Sequence, residues 1–377
     1  MSSLNTVETP AAIIDVARMQ ANITRMQAQI NRLGVRLRPH VKTSKCEQVA
    51  SAQIRAGAQG VTVSTLKEAE QFFDAGIVDI LYAVAMVPAK LERALALCRR
   101  GCQLKLVTDS VSGASAMAAF GRAHDHVFEV WIEVDTDGHR SGVAPQSDLL
   151  LEIARALDGS GARLGGVMTH AGSSYDFDHP QALLAIARQE RDLTVLAATR
   201  LRQAGFACPE VSIGSTPTAL SYDHLDGVTE VRAGVYVFFD LVMHNVGVCA
   251  VDEVALSVLT SVIGHQPEKR WLIVDAGWMA MSRDRGTQKQ RHDFGYGQVC
   301  DLDGHPVPGV LVTGANQEHG IICLPQASDQ PIEQQFPVGT RLRILPNHAC
   351  ATGAQFPVYC ALMPDGQVQQ WDRFYGW

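Results

Sequence analysis

Eight times between residues 36 and 231 a short strand-like stretch gives way to a segment with helical spacing, and this alternation limits the possible folds more than any other feature. The strands read as 36–42, 60–63, 80–84, 104–107, 128–135, 164–170, 210–213 and 228–231. Helices are predicted over 47–57 and 66–76, after Pro88, after Asp109 and ahead of each later strand. Asp15 opens the series with a helix whose apolar residues Val16, Met19, Ile23, Met26, Ile30 and Leu33 fall at steps of three and four, with Gly34 as the stop. Parallel strands joined by crossover helices over about 230 residues fit an α/β class chain closed into a (β/α)8 barrel of the TIM type. An open doubly wound sheet is the alternative, but no Gly-x-Gly-x-x-Gly turn follows an early strand, which weakens a dinucleotide site.

After Asp240 the character changes. Residues 254–263, 271–281 and 341–345 are strand-like, and Asp303-Gly304 and Asp365-Gly366 sit between extended segments as hairpin loops do. The expected division is a barrel over 10–245 and a β-domain from 246–377, to which 1–9 adds a strand. Net charge is −7 with no basic run, so nucleic acid and anionic membranes are poor partners. No apolar stretch reaches the roughly 18 residues of a membrane span, and the start lacks a signal-peptide pattern, so a soluble cytoplasmic protein is expected. The nine cysteines are scattered and odd in number. They read as reduced core residues rather than a disulfide or zinc-finger framework.

Four groups of residues carry candidate chemistry. Lys42 ends the first strand, where a barrel opens its mouth; partial desolvation there would suit it to Schiff-base work, although a solvated strand-end lysine is the plainer reading. Arg140, beyond the fifth strand, could hold a carboxylate, tune a ring, or simply pair with Asp135 or Asp137. His170 and Tyr175 leave the sixth strand, where an imidazole could stack on a heteroaromatic ring or serve only as a structural group. Gly214, Ser215 and Thr216 after the seventh strand, with Arg232, Gly234 and Tyr236 after the eighth, match the usual phosphate cradle of a barrel through small residues, hydroxyls and free amides, with a plain Gly/Ser/Thr turn as the alternative. His348 and Cys350 stand two apart on a segment read as extended, which would point both to one side. Imidazole and thiolate suit a zinc-like ion with open positions, provided the pair lies near the barrel mouth. A strand-one lysine, an arginine and a phosphate cradle together make a coherent site for pyridoxal phosphate.

The stretches Arg38-Pro39-His40-Val41-Lys42, His170-Ala171-Gly172-Ser173-Ser174-Tyr175, Glu230-Val231-Arg232-Ala233-Gly234-Val235-Tyr236 and Pro346-Asn347-His348-Ala349-Cys350 give the chain a resemblance. It resembles the alanine-racemase-like, fold-type III pyridoxal enzymes, and within them the D-serine dehydratase and D-threonine aldolase group. The resemblance implies Lys42 as the Schiff-base lysine and Gly214, Ser215, Thr216, Gly234 and Tyr236 around the phosphate. It also implies Tyr175 near the cofactor, and His348 with Cys350 holding a divalent ion such as zinc, manganese, cobalt or magnesium. Arg140 and Arg232 both match arginines that contact the cofactor or its lysine, and the choice between them stays open. The aldolases of the group carry His-x-Asp at the metal, whereas this chain has the cysteine of the dehydratases. The implied activity is conversion of a D-3-hydroxyamino acid to a 2-keto acid and ammonia by a homodimer acting on a small-molecule substrate. Retro-aldol cleavage is the alternative. A non-catalytic pyridoxal phosphate carrier is the third reading, against which the β-domain and its metal pair argue.

Overall fold

Met19, Ile23, Met26 and Ile30 are all buried, as their three-and-four spacing on helix α1 (Val16–Arg32) requires. The helix stops where Gly34 takes a left-handed φ of 72° that a side chain would resist. Ahead of it, strand β1 (Ala11–Asp15) is buried along almost its whole length. The structure is a computed structural model that describes residues 3–157, 159–325 and 330–377. Its contacts divide the chain into two compact units, Met1–Thr24 with Val235–Arg373 and Arg25–Gly234 with Phe374–Trp377.

The second of these units is an eight-stranded parallel sheet. Its strands are β2 (Arg36–Pro39), β3 (Val61–Val63), β4 (Asp79–Ala85), β5 (Gln103–Thr108), β6 (Phe128–Glu133), β7 (Ala162–Met168), β8 (Glu210–Ile213) and β9 (Glu230–Ala233). They run in the order β2-β9-β8-β7-β6-β5-β4-β3. A parallel bridge between His40 and Thr62 brings the two ends of that order together, so the sheet is a nearly closed barrel of the expected kind. The crossovers are α2 (Glu47–Arg55), α3 (Leu66–Asp74), α4 (Leu91–Arg99), α5 (Val111–Ala123), α6 (Leu149–Ala156) and α7 (Pro180–Gln203), with the short α8 (Thr216–Ala219) after β8. Local capping fixes several starts: the Thr65 hydroxyl accepts from the Glu68 amide at 3.0 Å and the Ser110 hydroxyl from the Gly113 amide at 3.2 Å. Leu81, Val107, Trp131 and Met168 form one apolar cluster across β4 to β7.

The other unit is built on an antiparallel sheet. Strands β10 (Leu256–Gln266), β11 (Trp271–Val274), β12 (Gln298–Cys300), β13 (Pro306–Ala315), β14 (Gly320–Cys323) and β15 (Arg341–Leu345) form a ring, because β10 pairs with both β11 and β15. Beside β10, β1 pairs antiparallel to it and parallel to β16 (Val358–Leu362), whose outer neighbour is β17 (Val368–Asp372). Helical turns α9 (Leu241–Val246), α10 (Trp278–Met281), α11 (Ile332–Gln335) and α12 (Ala349–Gly353) punctuate the unit. Gly304 and Gly366, at φ of 85° and 81°, turn the β12–β13 and β16–β17 hairpins as their Asp-Gly sequences predict.

Two expectations for this unit are corrected. The strand that the N-terminal segment adds is Ala11–Asp15, not the residues before Thr9, where Leu4–Thr6 forms a 3-10 turn through the Thr6 amide and the Ser3 carbonyl. The stretch 271–281 is strand only to Val274. Gly277, whose missing Cβ would fall 2.4 Å from the Asn316 and Gln317 carbonyls, then turns the chain into α10. No two of the nine cysteines are joined in a disulfide. Among the described residues no helix is long and apolar enough to cross a membrane.

Candidate active site

The seam that closes the barrel also shapes the lysine turn. The Val41 amide donates to the Thr62 carbonyl at 2.9 Å and the Lys45 amide to the Val41 carbonyl at 2.8 Å, which folds residues 41–44 into a turn just past β2. Lys42 sits in that turn with its side chain exposed, so the desolvated strand-end lysine of the sequence reading is corrected: two residues separate it from the end of β2, and its charge still acts on the His40 and His170 rings. Lys45 is the buried-side neighbour. Its ammonium lies 3.0 Å from Glu68, and its backbone takes a left-handed φ of 45°.

Behind Lys42 the barrel interior carries a chain of polar groups. Arg38 donates to both Glu230 oxygens and to Asp79, Ser212 donates to Glu230 at 2.7 Å, and Arg232 donates to Ser212 at 2.8 Å and to the Thr169 carbonyl. Arg232 is thereby buried and fixed. Arg140, by contrast, is exposed; its guanidinium lies 3.6 Å from Glu133 and pairs with neither Asp135 nor Asp137. His170 donates its Nδ1 proton to the Gly214 carbonyl at 3.0 Å, since a carbonyl can only accept, and Nε2 is left with the lone pair. Burial lowers its pKa, the Gly214 bond opposes that, and Lys42, Arg140 and Arg232 lower it further, to about 4. The ring is therefore neutral near pH 7. Tyr175 follows in a 3-10 turn with its ring centre 6.1 Å from that of His170.

His40 was quoted in the sequence motif without a role, yet the structure places it among these groups. Burial, with the charges of Lys42, Arg232 and His170, holds it neutral, well below the ordinary histidine value. Its buried Nδ1 has no hydrogen-bond partner among the described residues. Contact with the Thr62 backbone opposes that lowering of the pKa.

The predicted cradle is drawn from two loops. At Gly214 (φ 129°) a Cβ would fall 2.3 Å from the Arg232 carbonyl, and at Gly234 one would fall 2.9 Å from the His40 carbonyl, so only glycine lets these backbones approach. The amides of Gly214 and Ser215 are not free, which corrects the sequence reading. Gly214 donates to Glu190 at 3.0 Å and Ser215 to Thr218 Oγ1 at 2.9 Å, while the Ser215 hydroxyl meets those of Ser174 and Thr218. Thr216 opens α8, and Tyr236 is fully buried in the 3-10 turn Val235–Val237. Close glycine backbones, hydroxyls, a buried arginine and a neutral imidazole fit a phosphorylated aromatic cofactor. Glu190, far off in sequence on α7, gave no local signal and was missed.

The second candidate group lies in the antiparallel unit. His348 caps α12 in extended conformation and Cys350 is inside that helix, so the extended His-x-Cys segment is corrected. The side chains nevertheless meet: the thiol hydrogen-bonds the imidazole, and Nδ1 of His348 lies 2.6 Å from Asp284 Oδ2. Burial opposes a charged imidazole here, but those two bonds outweigh it and raise the pKa to about 11. The segment is anchored from below. Asp240, fully buried, accepts from the Met243 and Ala349 amides at 2.9 Å each, and Asn347 donates to the Asp284 and Gly295 carbonyls. An imidazole oriented by a carboxylate, with a thiol against its other nitrogen, is a donor set that fits a divalent ion. Among the described residues a cluster of three ligand-type groups occurs elsewhere, at Asp301, Asp303 and His305, all exposed on the β12–β13 hairpin.

A family model described as alanine racemase, N-terminal domain, matches residues 14–242. The chain belongs to the alanine racemase N-terminal-domain family. A serine dehydratase domain matches residues 255–362. This alanine-racemase-like chain is 66% identical over 377 residues to the D-threo-3-hydroxyaspartate dehydratase of Delftia sp. (strain HT23), covering 100% of the chain and 99% of the relative. The solved structure of that enzyme superposes with a TM-score of 0.98 at 65% identity over 100% of both chains. Its solved forms include one with a histidine replaced by alanine and a metal-free one with a cysteine replaced by alanine, two positions apart. The D-threonine aldolase of Filomicrobium marinum matches at a TM-score of 0.84 and 26% identity, over 98% of this chain and 96% of that one.

Proposed function

We propose that this chain is a lyase that converts a D-3-hydroxyamino acid, with D-threo-3-hydroxyaspartate as first candidate and D-serine as second, into a 2-keto acid and ammonia. One observation carries the reading: His348 meets both Cys350 and Asp284, and His348 and Cys350 stand at the spacing of the histidine and cysteine substituted in the Delftia dehydratase. Bound pyridoxal phosphate would supply an electron sink at the substrate α-carbon, and a bound divalent ion a Lewis acid at the departing β-hydroxyl. Lys42 would hold the cofactor covalently and, once released as a neutral amine, take the α-proton. Gly214, Ser215, Thr216, Gly234 and Tyr236 would surround the phosphate. Arg232 is the better placed of the two arginines to meet the ring nitrogen, because it is buried and fixed, while Arg140 is exposed. His170, neutral with Nε2 unprotonated, would lie against the cofactor ring with Tyr175. His348 and Cys350 would hold the ion, and Asp284 would orient the imidazole.

The ion is zinc, manganese, cobalt or magnesium. Water lost in the elimination is regained when the released enamine hydrolyses, so the net products are keto acid and ammonia. A cytoplasmic homodimer is the proposed state. Ile263 and Val338, exposed and drawn together by the bond from the Gly339 amide to the Val262 carbonyl, offer apolar surface for it. Incubation of the purified protein with D-threo-3-hydroxyaspartate, D-serine and D-threonine, followed by product identification, tests the reading. Keto acid and ammonia are expected. Glycine and an aldehyde would instead give the aldolase reading, which the similarity to D-threonine aldolase supports.

A further inference from the structure

We infer that Glu190 is a positioning residue for the cofactor, a single buried carboxylate that holds the loop after β7 and the loop after β8 in one arrangement. The inference rests on the proposal that these loops carry pyridoxal phosphate. Glu190 is fully buried on α7. Its Oε1 accepts from the Ala171 amide at 2.9 Å and from the Gly214 amide at 3.0 Å, and its Oε2 accepts from the Tyr222 hydroxyl. The first amide follows His170 directly; the second belongs to the glycine that opens the Gly214-Ser215-Thr216 cradle. One oxygen therefore sets the separation of two loops that come from different strands and share no local sequence signal.

Independent contacts show what that oxygen keeps in register. His170 donates to the Gly214 carbonyl at 3.0 Å, and the Ser174 and Ser215 hydroxyls meet at 2.8 Å, so the same loops touch at two further points. On its other side Gly214 is pressed against the Arg232 backbone, where no Cβ would fit. Gly214 is thus clamped between Glu190 and Arg232. Burial raises the carboxyl pKa of Glu190, while the bonds from Tyr222, Thr218, Ala171 and Gly214 oppose that rise. A carboxylate receiving two amides and a phenol has its buried oxygens satisfied, and withdrawing it would leave buried amides unpaired. Besides fixing the loops, the group keeps two backbone donors turned inward, and so decides which donors remain toward the cofactor phosphate.

Two substitutions separate the acceptor from the charge. Glu190→Gln keeps an oxygen where both amides point and offers its NH2 to Tyr222, whereas Glu190→Asp keeps the charge but withdraws the oxygen by one methylene. The full-length chain, freed of cofactor and titrated with pyridoxal phosphate, should bind with a Kd within about 3-fold of wild type in the Gln variant and about 10-fold weaker or more in the Asp variant. Hydrogen exchange at the Ala171 and Gly214 amides should rise in the Asp variant and stay unchanged in the Gln variant. If the Asp variant binds as tightly as wild type, or the Gln variant is the weaker of the two, the inference fails. Should the Asp variant not fold, Tyr222→Phe decides together with the Gln variant. It removes the donor to Oε2, together with a 3.2 Å bond to Thr218 Oγ1, and leaves Oε1 with both amides, so a 10-fold loss of affinity there would overturn the role given to Oε1. A wild-type chain that does not bind pyridoxal phosphate would instead sink the functional proposal, a distinct result.

Discussion

Nδ1 of His348 and Oδ2 of Asp284 lie 2.6 Å apart, with the imidazole donating, and that bond fixes which ring nitrogen is left for Cys350 or an ion. Asp284 is 64 positions away in sequence and is itself held by Asn347, next to the histidine it orients. Removing such a carboxylate typically weakens metal binding by about 10–100-fold. Asp284→Ala should therefore raise the dissociation constant for manganese or zinc by that factor, as measured by chelator competition. Unchanged affinity would mean that the histidine is oriented by other contacts.

Cys350 separates the chemistry from cofactor binding. Hydroxide is a poor leaving group at neutral pH, so elimination without a Lewis acid is slow even with the cofactor in place. Chelation or Cys350→Ala should abolish keto-acid production from D-threo-3-hydroxyaspartate while the cofactor absorbance stays near its starting level. Cys350→Asp recreates the ligand type of the aldolases and should retain some metal while raising the share of glycine among the products. Full dehydration by metal-free protein would leave the pair a structural role only.

Two lysines compete for the cofactor by position alone, and their surroundings distinguish them. Lys45 is committed to Glu68 at 3.0 Å, whereas Lys42 is exposed in the turn beyond the barrel seam. Borohydride reduction followed by peptide mapping should place the pyridoxyl label on Lys42, and Lys42→Ala should eliminate turnover. A label on Lys45 would overturn the assignment.

Elements of both units were legible because apolar spacing and turn chemistry are local properties: Met19, Ile23, Met26 and Ile30 announce α1, and Asp-Gly pairs announce the hairpins. What the sequence did not reveal depends on distance. Glu190 meets Ala171 and Gly214, and Asp284 meets His348, only after the chain has folded, and neither carboxylate stands in a motif. The amide of Gly214 looks available for the same reason, since its acceptor Glu190 cannot be paired with it by spacing, whereas Ser215 and Thr218 are three apart and form a local capping box. Local misreadings had local causes. His348 and Cys350 read as extended because two-residue spacing suits a strand, but the buried Asp240 accepts from the Ala349 amide and caps a helical turn there.

His170 makes the pH dependence of folding testable. Its pKa is depressed from 6.5 to about 4 in the folded chain, so the unfolded state takes up a proton at higher pH than the folded state does. The stability it helps maintain is fully present above about pH 6.5 and is lost as pH falls toward 4. His170→Asn places an amide donor where Nδ1–H stood, keeping the bond to the Gly214 carbonyl without a titrating group. Between pH 7 and pH 5 the cofactor-free wild type should lose about 2 kcal/mol more than this variant, the difference expected for a shift of that size. His40, also held neutral by burial, stays in both proteins, and the variant removes only the contribution that His170 makes to it, which is smaller than those of burial, Lys42 and Arg232. Urea unfolding at the two pH values measures it. Parallel losses in wild type and variant would show that His170 takes up its proton in the folded chain at an ordinary pH.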